Sequence, residues 1–382
     1  MSTYDLRKYR RIALLTDGYS TPFLAKTAIS LLRYRQADIA AVIDRSAAGS
    51  TANELFSVGD TTPVVAALSH CDADALFIGI APPGGELPQE WRPTILEALR
   101  QGIDVVSGLH DFLIRDDEFV ATAQTHDCRL IDVRRNDESQ TADCIDFRPE
   151  CLRIHAVGND CSLGKMSAML EIQRGLMDRS LDAGFAATGQ TGIMVSGRGV
   201  PIDCVVADFV NGAAERLVID HQQHDYLLIE GQGSLSHPAY SAVTLGLLHG
   251  SAPDGLIFCY ESGRVNVKGF DHVRIPEMRR VVDATETMAN LRHPCRIVGF
   301  AANTRTLSEK DAQADMRRVE SEFGVPVCDV YRFGCDRLVE SVIALRNEVV
   351  PKRVDRPDEL ATGEASIKKV AANIQSSRRE SR

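Results

Sequence analysis

One short stretch limits the fold more than any other. VGNDCSLGKMS, Val157 to Ser167, follows an apolar run, CLRIHAVG, and precedes a helical pattern. Gly158, then Gly164 and Lys165, between a strand and a helix, is the layout of a phosphate-binding loop. The glycines let backbone N–H groups face an anion, the helix dipole adds partial positive charge there, and Lys165 supplies a point charge. The spacing is one residue longer than the commonest form of such loops, so a plain glycine turn with a surface lysine is the competing reading. Met166 stands where these loops carry the hydroxyl that binds magnesium. Its thioether is soft, whereas magnesium is hard and prefers oxygen. Ser167 comes one position later, about 100° further round the helix. The loop is therefore fitted for phosphates and poorly fitted for Mg-ATP chemistry.

The rest of the chain explains where this loop belongs. In the first half, RIALLTDG, ADIAAVID, ADALFIGI and IDVVSGLH read as strands, with helical segments such as FLAKTAISLLRYR and EWRPTILEALRQG between them. That alternation predicts βαβ units and a parallel sheet. The polar run 134–150 reads as a linker. Beyond it HDYLLIEGQG, DGLIFCYESG, CRIVGFAANT and VPVCDVYRFG read as further strands alternating with helices. The expectation is an α/β protein of two domains with parallel sheets, 1–133 and 151–350, followed by a polar, mobile tail over 351–382. Ligands in open parallel sheets sit at the carboxyl ends of the strands. The loops there carry Asp17, Asp44, Gly84, Gly85 and His110 in the first half. No GxGxxG follows the first strand, so a dinucleotide site has little support.

Composition narrows the function classes. A chain of 382 residues, 44% hydrophobic and 25% charged, has ample core for two domains. The formal net charge of -10 argues against a broad nucleic-acid surface. No apolar run approaches the roughly 20 residues of a membrane span, and the N-terminus MSTYDLRKYRR has no apolar segment of signal-peptide type. The ten cysteines include no CxxC pair, which suits reduced thiols and a cytoplasmic location. A cytosolic enzyme of this size is expected to be a homo-oligomer.

Two companion segments carry polar chemistry. In LLIEGQGS, Glu230 ends an apolar strand, with His237 shortly after it. The glycine-rich stretch ATGQTGIMVSGRGVPIDCVVADF reads as a loop bearing Gln190, Thr191 and Arg198, followed by Asp203 and Asp208. Loops of this kind bind ligands, although a lone Asp in such a stretch is often a helix cap. His221 and His224 lack a third metal ligand at matching spacing and read as surface or capping residues.

Taken together, GNDCSLGKMS, EGQGS and GFAANT resemble the dethiobiotin synthetase branch of phosphate-loop proteins. A more extensive resemblance rests on APPGGELPQEWR, VVSGLH, IDVRR, GNDCSLGKMS, TGQTGI and EGQGSLSHP, in that order, and runs to about Val350. It is to a bacterial family associated with the N-acetylation of D-glutamate by acetyl-CoA. The resemblance implies a Rossmann-like N-terminal domain and a C-terminal domain similar to phosphate-loop NTPases. It also implies acetyl-CoA as co-substrate, a small amino acid as substrate and no metal. Coenzyme A carries a pyrophosphate and a 3′-phosphate that need an anion cradle, and its thioester is already activated. That accounts for Met166. Residues Gly158, Asn159, Asp160, Cys161, Ser162, Leu163, Gly164, Lys165, Met166 and Ser167 would hold the cofactor, with Asn303 at its adenine.

Acetyl transfer to an amine needs a base and an oxyanion donor. Glu230 and His237 are the base candidates. Arg198, Arg264, Gln190, Thr191, Asp203 and Asp208 are the substrate-binding candidates, with Arg305 and Arg332 as further cations for the two carboxylates. Cys161, at the helix N-terminus, could carry an acetyl group, although a small residue packed against the strand explains it as well. The first domain could contribute His110 or the 82–85 loop. The alternatives are an ATP-dependent ligase or kinase of the dethiobiotin synthetase type, against which Met166 argues, and a non-enzymatic nucleotide-responsive regulator.

Overall fold

The computed structural model describes residues 4–354. By compactness the chain divides into two units. Residues 1–144, 185–217 and 229–251 form the first, and residues 145–184, 218–228 and 252 onward the second.

In the first unit, short runs of Val, Ile, Leu and Ala make β1 (Ile12–Leu15), β2 (Ile39–Ile43), β3 (Val64–Val65), β4 (Ala75–Ile78), β5 (Asp104–Ser107) and β6 (Leu130–Asp132). β1 and β4 are buried along their whole length, the mark of strands covered on both faces. The strands pair in parallel in the order β3-β2-β1-β4-β5-β6. This is the Rossmann order, with its switch point between β1 and β4. The crossovers include α1 (Lys26–Tyr34), α2 (Ala52–Phe56), α3 (Arg92–Arg100) and α4 (Asp117–Thr125). A capping box between Thr51 and Glu54 starts α2, and Asp116 caps α4 through the N–H groups of Glu118 and Phe119. Just past β2, Asp44 accepts from Ser20, from the Ser46 N–H and hydroxyl, and from the Ala47 N–H. Burial opposes its ionisation, but these hydrogen bonds outweigh it and lower its pKa. The acidic position that meets a ribose in dinucleotide folds is thus engaged by the chain's own donors.

The second unit is centred on three long strands, β7 (Leu152–Gly158), β10 (Gly255–Glu261) and β13 (Arg296–Asn303). β8 (Ala183–Ala186), β9 (Tyr226–Ile229) and β14 (Val327–Cys328) complete a sheet of order β14-β13-β10-β7-β9-β8. The pairings of β10 with β7 and β13, and of β13 with β14, are parallel. α5 (Lys165–Met177) follows β7, and α6 (Gln190–Ser196), α7 (Val210–Ile219) and α8 (Ser241–Ser251) follow along the chain. β11 (Asn266–Val267) and β12 (Phe270–Arg274) form an antiparallel hairpin after β10. The remaining helices are α9 (Met278–Asn290), α10 (Glu309–Phe323) and α11 (Asp336–Val354). Both domains are therefore α/β with parallel sheets, as the alternation of strands and helices predicts.

Residues 135–148 contain no helix or strand. They are held all the same: Glu138 pairs with Arg216, and the Asp143 N–H donates to Glu215 at 2.7 Å. α11 runs through Pro351 to Val354, and the rest of the tail expected from residue 351 lies outside the described residues. All ten cysteines are free thiols. No helix among the described residues is long and apolar enough to cross a membrane.

His155, in the middle of β7, is fully buried. Burial, with a smaller contribution from Lys165, pushes its pKa down to about 3. The unfolded chain takes up a proton below the ordinary histidine pKa of about 6.5, and the folded chain does not until near 3. Stability should therefore fall as pH drops through that window. Between pH 7 and pH 5, urea titrations should show wild type losing about 2 kcal/mol more than His155→Leu. Equal losses would mean that the ring is protonated inside the fold.

Candidate functional site

In the second unit, the chain leaves β7 at Gly158 and enters α5 at Lys165. A Cβ on Gly158 would stand 2.4 Å from the Cys259 carbonyl oxygen, so the loop begins with a backbone approach that only glycine permits. Ser162 and Gly164 take left-handed conformations, φ 55° and 105°, which turn the backbone back on itself. The N–H groups of residues 162–167 meet no acceptor among the described residues, and a Cβ on Gly164 would have nothing within 4 Å. A row of unengaged donors at the start of a 13-residue helix, beside open space, suits an anion. Lys165 is buried, and its Nζ donates to the Asp160 carbonyl at 2.7 Å. Burial lowers its pKa, with the neighbouring Cys161, Cys259 and Asp160 acting the other way. A bound phosphate would supply the counter-charge that this ammonium otherwise finds only in part.

Asp160 gives the loop its shape. Its side chain is inaccessible and accepts from the Cys161 N–H at 2.7 Å, the Lys268 N–H at 2.9 Å and Arg264 Nη1 at 2.8 Å. One carboxylate thus ties the loop to the β11–β12 hairpin. Arg264 also donates to the Cys161 carbonyl at 2.7 Å and pairs with Glu261, which Arg305 reaches at 3.2 Å. Asn303 ends β13 opposite Glu261, and its side-chain oxygen accepts from the Arg305 N–H at 3.3 Å. Arg332 donates to the Thr304 carbonyl at 2.8 Å. The predicted cofactor residues and Arg264, Arg305 and Asn303 therefore gather at the carboxyl ends of β7, β10 and β13. Arg264, expected to bind substrate, is engaged in bracing the loop.

The first unit holds a second polar cluster. Glu230, just beyond β9, is buried and accepts through Oε2 from the N–H groups of Thr188 at 2.8 Å and Gly189 at 3.0 Å. A Cβ on Gly192 would lie 2.3 Å from Glu230 Oε2, and one on Gly189 would lie 2.4 Å from Gln232 Nε2. These two glycines make room for the side chains around them. The stretch read as a glycine loop therefore starts as a short helix, α6, cut off by Gly197 in the left-handed conformation. Gln190 is buried against Gly108, and its Oε1 meets no donor among the described residues. The Thr191 hydroxyl lies 2.9 Å from that of Thr27 on α1.

His237 is buried and stacks on Tyr240 with ring centroids 4.6 Å apart. Its Nδ1 accepts from the Ala239 N–H at 3.2 Å, which assigns the ring proton of the neutral form to Nε2. Asp203 pairs with Arg134, whose Nε donates to the Gly108 carbonyl at 2.7 Å. His110 Nδ1 lies 4.0 Å from Cys204 Sγ, and burial, then Arg134, lower the His110 pKa. Arg198 and Asp208 are exposed and touch neither Glu230 nor Gln190 among the described residues. Gly108 and Arg134 escape the sequence pattern. The signal that could have found them is their position just past β5 and β6 of a parallel sheet.

Comparison with known proteins adds to this geometry. Residues 140–339 match the P-loop domain of DUF1611, described as a domain of unknown function, and residues 45–136 match the Rossmann-like domain of the same family. A D-glutamate N-acetyltransferase of Pseudoalteromonas sp is 40% identical over 271 residues, 71% of this chain and 81% of that protein. A protein of the same name from Tritonibacter scottomollicae is 37% identical over 323 residues, 84% of this chain and 95% of that protein. The crystal structure of a DUF1611 family protein from Anabaena variabilis superposes with a TM-score of 0.80 at 36% identity, covering 88% of this chain and 99% of that one.

The fit of Glu230 between glycines can be tested directly. Gly192→Ala should lower stability by about 1–3 kcal/mol, because the new methyl group displaces a buried carboxylate. A denaturation midpoint equal to that of wild type would mean that Glu230 is free to move aside.

Proposed function

The chain belongs to the DUF1611 family, and on that premise we propose that it moves an acetyl group from acetyl-CoA to the amino group of D-glutamate. Its class, N-acetyltransferase, is that of both named relatives. The observation that carries the cofactor reading is the row of unengaged N–H groups over residues 162–167, with Met166 in place of a magnesium-binding hydroxyl. Those donors and Lys165 hold the phosphates of the CoA. Asp160 and Arg264 keep the loop in the shape that presents them. Acetyl-CoA supplies an activated thioester, so the chemistry requires no phosphate cleavage.

On this reading Glu230 is the base. Its two N–H bonds fix the direction of its carboxyl group. It takes a proton from the substrate ammonium; the freed nitrogen bonds the acetyl carbon, the carbon–sulfur bond breaks, and the second proton lost by the nitrogen goes to the leaving CoA thiolate. His237 has the other role. With Nδ1 accepting from Ala239, its Nε2–H is a donor, suited to the oxyanion that forms on the acetyl carbonyl. The two base candidates thus divide into a base and a donor.

A coupled assay of thiol release, with the product identified by mass, tests the reading. D-glutamate should release CoA and gain an acetyl group. Binding of ATP that requires magnesium, with no response to CoA, would replace the acyltransferase by a nucleotide-using enzyme. Lys165→Ala should weaken CoA binding by about tenfold or more, measured by calorimetry. Glu230→Gln should lower kcat by about 10²-fold with CoA binding kept, since a base contributes about that much. Unchanged turnover would remove Glu230 from the mechanism.

A further inference from the structure

Gly108 immediately follows β5, and its φ lies outside the left-handed region, so its backbone would accept any residue. What requires glycine there is a neighbour. A Cβ would stand 1.7 Å from Gln190 Oε1 and 2.8 Å from Gln190 Cδ. The amide of Gln190 occupies the space that a side chain at 108 would fill. Gln190 is only 6% exposed, and its Oε1 meets no donor among the described residues. A buried carbonyl oxygen without a donor is a costly arrangement, kept where a ligand brings the N–H.

The other side of Gly108 carries a cation. Its carbonyl accepts from Arg134 Nε at 2.7 Å, and the Arg134 side chain is only 11% exposed. Arg134 Nη1 pairs with Asp203, whose own side chain is 35% exposed. A guanidinium held rigidly by a backbone carbonyl, and topped by a carboxylate from an accessible turn, has the form of an exchangeable ion pair. A second carboxylate could take the same fork, and Arg suits that bidentate geometry. Gly108 thus has a lone acceptor on one side and a carboxylate receptor on the other. An α-amino acid carries the complementary pair, a nitrogen with hydrogens to donate and a carboxylate.

Building on the acetyl transfer proposed above, we propose that the first unit holds the amino-acid subsite. The substrate nitrogen is bound by Gln190 Oε1, its carboxylate displaces Asp203 from Arg134, and Gly108 stays bare to admit the Gln190 amide. Asp203 then acts as an internal stand-in for the substrate carboxylate and competes with it. This reverses the role that a substrate-binding aspartate would have.

The experiment titrates D-glutamate calorimetrically into the full chain and four variants, and measures acetyl transfer and CoA binding alongside. Arg134→Gln and Gly108→Ala should each weaken D-glutamate by about tenfold or more, with CoA binding unchanged. Gln190→Leu should do the same. Asp203→Asn should instead tighten D-glutamate, by about threefold or more, because it removes the competitor. Wild type should also prefer D-glutamate over 4-aminobutyrate, which lacks the α-carboxylate, and Arg134→Gln should abolish that preference. A merely structural role for Arg134 would not produce either result. The proposal is overturned if Arg134→Gln or Gly108→Ala binds D-glutamate as wild type does, or if Asp203→Asn weakens it. Should Arg134→Gln fail to fold, the opposite signs for Gly108→Ala and Asp203→Asn decide alone. If wild type binds D-glutamate in this pattern yet transfers no acetyl group, the subsite stands and the acetyl-transfer reading falls.

Discussion

The strand pairings resolved in the two main sheets are parallel, and most of the chemistry follows from that constraint. A parallel strand hands its chain to a crossover, so the loops that follow the strands collect along one edge of the sheet. In the second unit that edge receives the anion loop after β7, Glu261 after β10 and Asn303 after β13. In the first it receives Asp44 after β2, Gly108 after β5 and Arg134 after β6. Residues far apart in sequence meet without long excursions, and each is carried on a strand too buried to drift.

The two polar clusters solve different electrostatic problems. The anion loop keeps donors open and supports them from behind, with Asp160 and Arg264 facing each other across the hairpin. Around Glu230 the backbone donors are consumed, and the carboxylate is set in one direction by Thr188 and Gly189. The first arrangement leaves donors open to an arriving anion, and the second fixes a buried side chain in place. Met166 leaves the loop without the hydroxyl that would offer a hard oxygen ligand to magnesium at that position.

The long strands were legible because parallel, doubly covered strands are continuous apolar runs. CLRIHAVG, DGLIFCYESG and CRIVGFAANT become β7, β10 and β13. The phosphate loop was legible because its physics is local, a strand, glycines, a lysine and a helix. α6 was not. Gly189 and Gly192 lower helix propensity, so the stretch looks like a loop, and the reason for both glycines is Glu230 and Gln232, some forty residues away. Arg134 reads as the start of a charged linker because its partner, Asp203, is separated from it by 69 positions. The β11–β12 hairpin was equally hidden, since the Lys268 N–H at its turn is held by Asp160, 108 positions away. What the pattern misses are contacts made by single residues over long chain distances.

The chain passes back and forth between its units, with residues 185–217 and 229–251 returning to the first after the phosphate loop has been laid down in the second. A ribosome therefore cannot release a finished first unit before residues 145–184 and 218–228 of the second have been synthesised. Recombination faces the same obstacle: a crossover in the polar stretch around residue 144 would separate Arg134 from Asp203 and Gly108 from Gln190. The first unit thus needs residues from both sides of such a break.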